Sequence, residues 1–304
     1  MSAKASLLRT ALNATSLVAP RLAGRATFAV FTRPPGRARL RPDERGLLAE
    51  ARTSLLTVNG KEVVTYAWGD GARPVLLVHG WQSRASRLSA FVTALRERGY
   101  SPVAFDAPAH GESDGATTTI IEFRDIIRQL HERHAAATGF EAVVAHSLGV
   151  LASLFALQDG VSTRRFVGIG GVADFDFVID SFCAGLGLRE RIRGALRGRI
   201  ENALFPGDPG TWARFSAAYR PHELAAPVLL FHDESDDMVP AAQSRLLETA
   251  HRGRVRLVRT QGLGHRRILA DPAVVTETVG FVTAAVDTET VTSRPGRSPV
   301  VPRS

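Results

Sequence analysis

Ala145-His146-Ser147-Leu148-Gly149 follows the apolar run Ala142–Ala145 and opens the helical pattern Leu148–Leu157. A serine between a buried strand and a helix sits in a turn so tight that its backbone is strained. The residues two places either side must then be small, and Ala145 and Gly149 are. Such a turn lifts the Ser147 hydroxyl out at the end of the sheet and sets it at a helix N-terminus, where N–H groups favour developing negative charge. This is the local signature of a nucleophile elbow. The pentapeptide alone occurs by chance, so its weight depends on what surrounds it.

Outward from the elbow, short apolar runs alternate with helical patterns. The runs are Val75–Val78, Pro102–Phe105, Phe166–Ile169, Pro227–Phe231 and Val255–Val258. The helical patterns are Arg84–Arg98, Ile120–His134, Ala241–His251 and Pro272–Val286. Fully apolar strands alternating with helices predict an α/β fold with a mostly parallel sheet covered on both faces. Ahead of them, Ser54–Val58 and Val63–Ala67 flank Asn59-Gly60, a strong hairpin signal, so antiparallel edge strands are expected. Residues 43–52 read as a short polar helix. Residues 172–222 are too long for a plain loop. Phe175, Phe177, Ile179 and Phe182, the Arg-rich stretch Leu188–Ile200, then Trp212 and Phe215, predict a helical insertion.

The other parts of an acyl-transfer site then appear in order, each at the end of a strand. Val228–Phe231 runs into a loop carrying Asp233, Glu234, Asp236 and Asp237, and Val255–Val258 runs into Gly262-Leu263-Gly264-His265. A serine nucleophile needs a neutral imidazole to take its proton, and the imidazole needs a carboxylate to fix its tautomer. Ser147 is the candidate nucleophile, His265 the base, and the crowded loop the source of the acid. His79-Gly80-Trp81 follows the first parallel strand. The Trp81 and Leu148 N–H groups are the candidate oxyanion hole, with Gly80 allowing close backbone approach. His79, His110, His146 and His232 read as bracing residues, Asp106 as a loop fastener, and Cys183 as a small buried hydrophobe. The Arg-rich helix reads as a solvated face, with an anionic headgroup site as the alternative.

At this point the chain resembles the α/β-hydrolase superfamily from about residue 54 to residue 286. Leu77-Val78-His79-Gly80-Trp81 is similar to its oxyanion strand and loop. Phe105-Asp106-Ala107-Pro108-Ala109-His110-Gly111-Glu112-Ser113 resembles the D-x-x-G-H-G-x-S loop, with Ala109 where the pattern often has Gly. Asp236-Asp237-Met238-Val239-Pro240 resembles the D-x-x-V-P signature around the acid, which points to Asp236. Asp174 or Asp176 stays open as the acid, because some hydrolases of this fold take it from the preceding strand. Ala145 stands where Gly is commoner. The resemblance implies a carboxylesterase-like serine hydrolase with a Ser147, Asp236, His265 catalytic triad. It implies cleavage of esters, thioesters or amides through an acyl-enzyme, a small-molecule acyl substrate, no cofactor, and a cap formed by residues 172–222. The alternative from another class is a hydrolase-fold protein that binds a ligand without turning it over.

The chain has 304 residues, 44% hydrophobic and 22% charged, which fits a soluble globular protein. We divide it into a basic N-terminal segment and linker (1–50), the hydrolase domain (51–288), and a Pro, Ser and Arg-rich tail (289–304) expected to be disordered. Its single cysteine excludes an intrachain disulfide and a cysteine-based zinc site, and makes the cytoplasm the expected compartment. The net charge of +8 lies largely in the ends, since no acidic residue precedes Asp43. Without a nucleic-acid motif, no nucleic-acid partner is expected. Residues 1–32 read as a basic amphipathic helix that either packs on the domain or touches an anionic membrane surface. Asn13, Thr15 and Ser16 interrupt any secretory hydrophobic run.

Overall fold

The computed structural model describes residues 3–284 except 209, 217, 222 and 223, so the tail expected at 289–304 lies outside the described residues. In chain order the elements are α1 (Ala3–Val18), α2 (Pro20–Phe31), α3 (Arg45–Ala49), β1 (Arg52–Val58), β2 (Lys61–Ala67), β3 (Pro74–Val78), α4 (Ser89–Arg96), β4 (Ser101–Phe105), α5 (Ile120–His134), β5 (Ala142–His146), α6 (Leu148–Gln158), β6 (Phe166–Ile169), α7 (Phe175–Leu186), α8 (Glu190–Leu204), α9 (Thr211–Arg214), β7 (Val228–Asp233), α10 (Ala242–Ala250), β8 (Val255–Thr260), α11 (Gly264–Arg267) and α12 (Pro272–Thr283). They build an eight-stranded sheet in the order β1-β2-β4-β3-β5-β6-β7-β8. The β1–β2 and β2–β4 pairs are antiparallel and the rest parallel.

The expected architecture is therefore present. Asn59 and Gly60 both take positive φ, 49° and 72°, as a two-residue hairpin turn requires. Side chains alternate across the parallel strands, and both faces are buried. Val75 and Leu77 of β3, with Leu229 and Phe231 of β7, join α4 and α12 through Phe91, Val92 and Val279. Leu76 and Val78, with Val228 and Leu230, join α5, α6 and α10 on the other face through Phe123, Leu151 and Leu247. The insertion α7–α9 continues this second core through Ile179, Leu196 and Phe215, and buries Cys183 as expected.

Two local departures have physical causes. The helix expected from Arg84 begins instead with a 3-10 turn, Ala85–Leu88. There the Asp106 carboxylate holds the Ala85 N–H at 2.8 Å. Residues 1–32, read as one helix, form two. Pro20 lacks an N–H and restricts Ala19, which leaves helical geometry at φ −141°, ψ 70°.

Both helices pack against the insertion. Gly24 lets α2 lie close on α8, where a Cβ would meet the Ala195 carbonyl oxygen at 2.8 Å. Asn13 accepts the Arg189 N–H at 3.1 Å and donates to the Gly187 carbonyl at 3.2 Å, tying α1 to the turn before α8. The linker is tied down as well. Arg37 donates to the carbonyls of His110, Gly111 and Gly115 at 3.2, 2.9 and 3.0 Å. No helix among the described residues is long and apolar enough to cross a membrane.

Asp106 fastens the loop beside the site. It accepts hydrogen bonds from Tyr66 Oη (3.0 Å), Ala85 N–H (2.8 Å) and Glu112 N–H (2.9 Å), and buried Arg84 lies 3.8 Å away. Removing one partner from such a buried network leaves the others uncompensated. Asp106→Ala is expected to lower the unfolding free energy by about 3–5 kcal/mol in chemical denaturation. A loss below about 1 kcal/mol, the level of an exposed ion pair, would contradict this role.

Candidate active site

The chain passes from β5 to α6 through Ser147 at φ 57°, ψ −126°, a conformation side-chain-bearing residues rarely adopt. Its N–H bonds to the Ile169 carbonyl at 3.0 Å, and its own carbonyl accepts from Val150 and Val172 at 3.0 and 3.2 Å. The two glycines beside it make room. A Cβ on Gly80 would lie 2.6 Å from Ser147 Cβ, and one on Gly149 2.7 Å from the His79 carbonyl oxygen. The His79–Gly80 backbone is thereby pressed against the serine. Neither Trp81 N–H nor Leu148 N–H donates to a protein acceptor among the described residues.

His265, on α11 just past β8, faces Ser147. Its Nε2 is 3.0 Å from Ser147 Oγ and its Nδ1 is 2.7 Å from Asp236 Oδ2. With Nδ1–H donated to the carboxylate, Nε2 is left to accept the serine proton. Asp236 Oδ1 accepts the N–H groups of Met238 and Val239 at 2.9 and 2.8 Å. Burial pushes the Asp236 pKa up, but the hydrogen bonds from His265 and these N–H groups, with the imidazole charge, hold it below the ordinary carboxylate range. The three predicted residues Ser147, His265 and Asp236 thus form one hydrogen-bonded chain. Asp174 and Asp176 do not join it. Asp174 caps α7 by accepting the Phe177 N–H at 2.9 Å, and Asp176 pairs with Arg193 and Arg197.

A family model, that of the Alpha/beta hydrolase family, matches residues 75–278. The chain belongs to the alpha/beta hydrolase family. Among solved structures, the hydrolase is similar to an esterase, Pf2001, of Pyrococcus furiosus. That pair is 19% identical with a TM-score of 0.59, covering 82% of this chain and 95% of that one. Alpha/beta hydrolase domain-containing protein 10 from mouse is 18% identical, TM-score 0.59, covering 76% and 97%. A thioesterase domain from the curacin biosynthetic pathway is 13% identical, TM-score 0.56, covering 77% and 99%. At these identities the likeness is one of fold. No curated protein matches the hydrolase.

The bracing residues of the hydrolase hold the site's loops. His79 Nδ1–H donates to the Gly80 carbonyl (2.7 Å) and its Nε2 accepts the Ala107 N–H (3.0 Å). His110 repeats the pattern between the Pro108 carbonyl and the Gln82 N–H, both at 3.0 Å. His146 donates Nε2–H to the His265 carbonyl at 2.9 Å, with ring centroids 4.6 Å apart, so it anchors the backbone of the facing histidine. Asp233 was one carboxylate in a crowd by sequence. It accepts from Leu263 N–H (3.1 Å), Gly264 N–H (2.9 Å) and Thr260 Oγ1 (2.7 Å), joining the loop of Asp236 to that of His265. Among the described residues no group of three or more His, Cys, Asp or Glu is arranged to hold a metal ion.

A cavity of about 300 Å³ opens on Ser147, Trp81 and Leu148. Phe175, Phe182 and Leu204 line it from the insertion, and Phe28, Phe31 and Thr32 from the N-terminal segment. Sequence reasoning missed this second contribution. Its only signal was the aromatic pair Phe28 and Phe31, three apart on one helix face.

Burial pushes the pKa of His79 down to about 4 and those of His110 and His146 down to about 3. The unfolded chain therefore takes up protons below about pH 6.5 that the folded hydrolase refuses, and stability falls with pH. Each such histidine is expected to cost about 2 kcal/mol between pH 7 and pH 5. Denaturation of wild type and His110→Asn at both values checks this. The variant should lose about 2 kcal/mol less than wild type, and an unchanged pH slope would contradict the assignment.

Proposed function

We propose that this alpha/beta hydrolase is a serine hydrolase that cleaves carboxylic esters, or thioesters, of apolar acyl groups through an acyl-enzyme. The observation that carries the reading is the chain Asp236–His265–Ser147, with contacts of 2.7 and 3.0 Å. In the first step His265 Nε2 takes the Ser147 Oγ proton as Oγ bonds to the acyl carbonyl carbon. The carbonyl electrons move onto oxygen, which the unpaired N–H groups of Trp81 and Leu148 receive. His265 then gives its proton to the departing alcohol or thiol as that bond breaks. A water molecule repeats the sequence in reverse order to release the acid and free Ser147. Asp236 stays ionised and holds the imidazole in its working tautomer.

The substrate class follows from the cavity. Beyond Ser147 its wall is mostly Phe, Leu, Val and Met side chains, with Thr32, Thr118, Thr119 and Ser181 as the hydroxyl-bearing ones. An apolar acyl chain fits such a wall, and a charged one would be desolvated without a partner. The insertion acts as the cap over this cavity. The second reading, a ligand-binding protein without turnover, is disfavoured by the unbroken Ser-His-Asp chain.

The test is hydrolysis of 4-nitrophenyl butyrate and octanoate. Ser147→Ala and His265→Ala are expected to lose at least about 10⁴-fold in kcat, and Asp236→Asn about 10³–10⁴-fold. A Ser147→Ala variant at the wild-type rate would rule out the mechanism. Ligand binding by wild type with no product would favour the second reading.

A further inference from the structure

Seven large hydrophobic residues are strongly exposed among the described residues, and four of them, Leu7, Leu17, Val18 and Leu22, lie on the α1–α2 hairpin. Leu17, Val18 and Leu22, 56%, 87% and 59% exposed, surround the turn at Ala19-Pro20. Exposed Arg21 and Arg25 flank this tip. The hairpin has no counter-charge of its own, because no acidic residue precedes Asp43. Its other faces are used. Ala23, Gly24 and Thr27 are buried, and Phe28 and Phe31 line the cavity that opens on Ser147. Nine residue steps along α2, about 14 Å by helical rise, lead from Leu22 at the tip to Phe31 at the cavity.

An apolar tip whose own charges are all cationic matches one surface chemically, an anionic lipid bilayer. The aliphatic side chains enter the acyl boundary while the guanidinium groups stay among the phosphates. A second copy of this chain offers no such complement, since its tip carries the same positive charge. We propose that the α1–α2 tip docks the hydrolase on an anionic lipid surface, so that its substrates are amphiphilic esters drawn from that surface. The surface part rests on the hairpin alone. The substrate part rests on the serine-hydrolase reading, with α2 joining the lipid contact to the acyl cavity.

Sedimentation of the full chain with vesicles tests the proposal. Wild type should bind vesicles of equal parts phosphatidylcholine and phosphatidylglycerol, bind pure phosphatidylcholine weakly, and lose binding as salt rises. The variants Leu17→Ser/Val18→Ser/Leu22→Ser and Arg21→Glu/Arg25→Glu should each bind at least about tenfold more weakly. Both should hydrolyse soluble 4-nitrophenyl butyrate at the wild-type rate, which also shows that they fold. Wild type should cleave a long-chain ester faster when it is presented in the anionic vesicles, and the variants should lose that gain. Equal binding by wild type and variants, or no binding by wild type, overturns the proposal. So does a wild-type dimer that the triple variant converts to monomer, because the tip would then be covered by another copy. Vesicle binding without any hydrolysis of the soluble ester would leave the docking surface standing and sink the serine-hydrolase reading.

Discussion

The turn at Ser147 is the constraint on which the rest of the site depends. A left-handed φ at a residue with a side chain costs about 1–3 kcal/mol and persists only where its surroundings enforce it. Here β5 fixes one side, the Ile169 carbonyl holds the Ser147 N–H, and α6 starts immediately after. The close approach of Gly80 and Gly149 removes the steric objection. The same geometry that strains the backbone points Oγ at His265, and among the described residues the N–H groups of Trp81 and Leu148 have no protein acceptor. The proposed nucleophile and the proposed anion-binding donors thus depend on one turn.

The histidine and the acid arrive from distant parts of the chain, and their registration depends on buried polar contacts. His146, next to the serine, bonds to the backbone of His265, so the turn at Ser147 grips the loop that carries His265. Asp233 ties that loop to the one carrying Asp236. Such buried, mutually supporting hydrogen bonds favour one arrangement of the loops.

Much of this was legible in the sequence because its causes are local. Alternation of apolar strands with helices follows from burial on two faces, and the elbow follows from small residues around one serine. The hairpin at Asn59-Gly60 is written in two residues. The acid was less accessible. Asp174, Asp176 and Asp236 all lie near strand ends, and only packing in three dimensions shows that one of them meets His265 while the others serve a helix cap and two arginines. The N-terminal segment was least legible. Its amphipathic pattern showed a buried face but not its partner. That partner is α8, 171 positions away at the contact of Gly24 with Ala195, and the pairing hangs on the fit of those two residues. Pro20 could have been read as a helix boundary, since its missing N–H is a local fact.

The hairpin and the insertion together make the cavity beside Ser147 a composite of two remote segments, lined by Phe28, Phe31 and Thr32 from one and by Phe175, Phe182 and Leu204 from the other. The central claim is that Ser147 is an activated nucleophile. Labelling the purified protein with a fluorophosphonate and mapping the adduct by peptide mass spectrometry tests it most directly. The account requires a single adduct on Ser147, abolished in His265→Ala. An adduct on another residue, or equal labelling of Ser147→Ala, would contradict it.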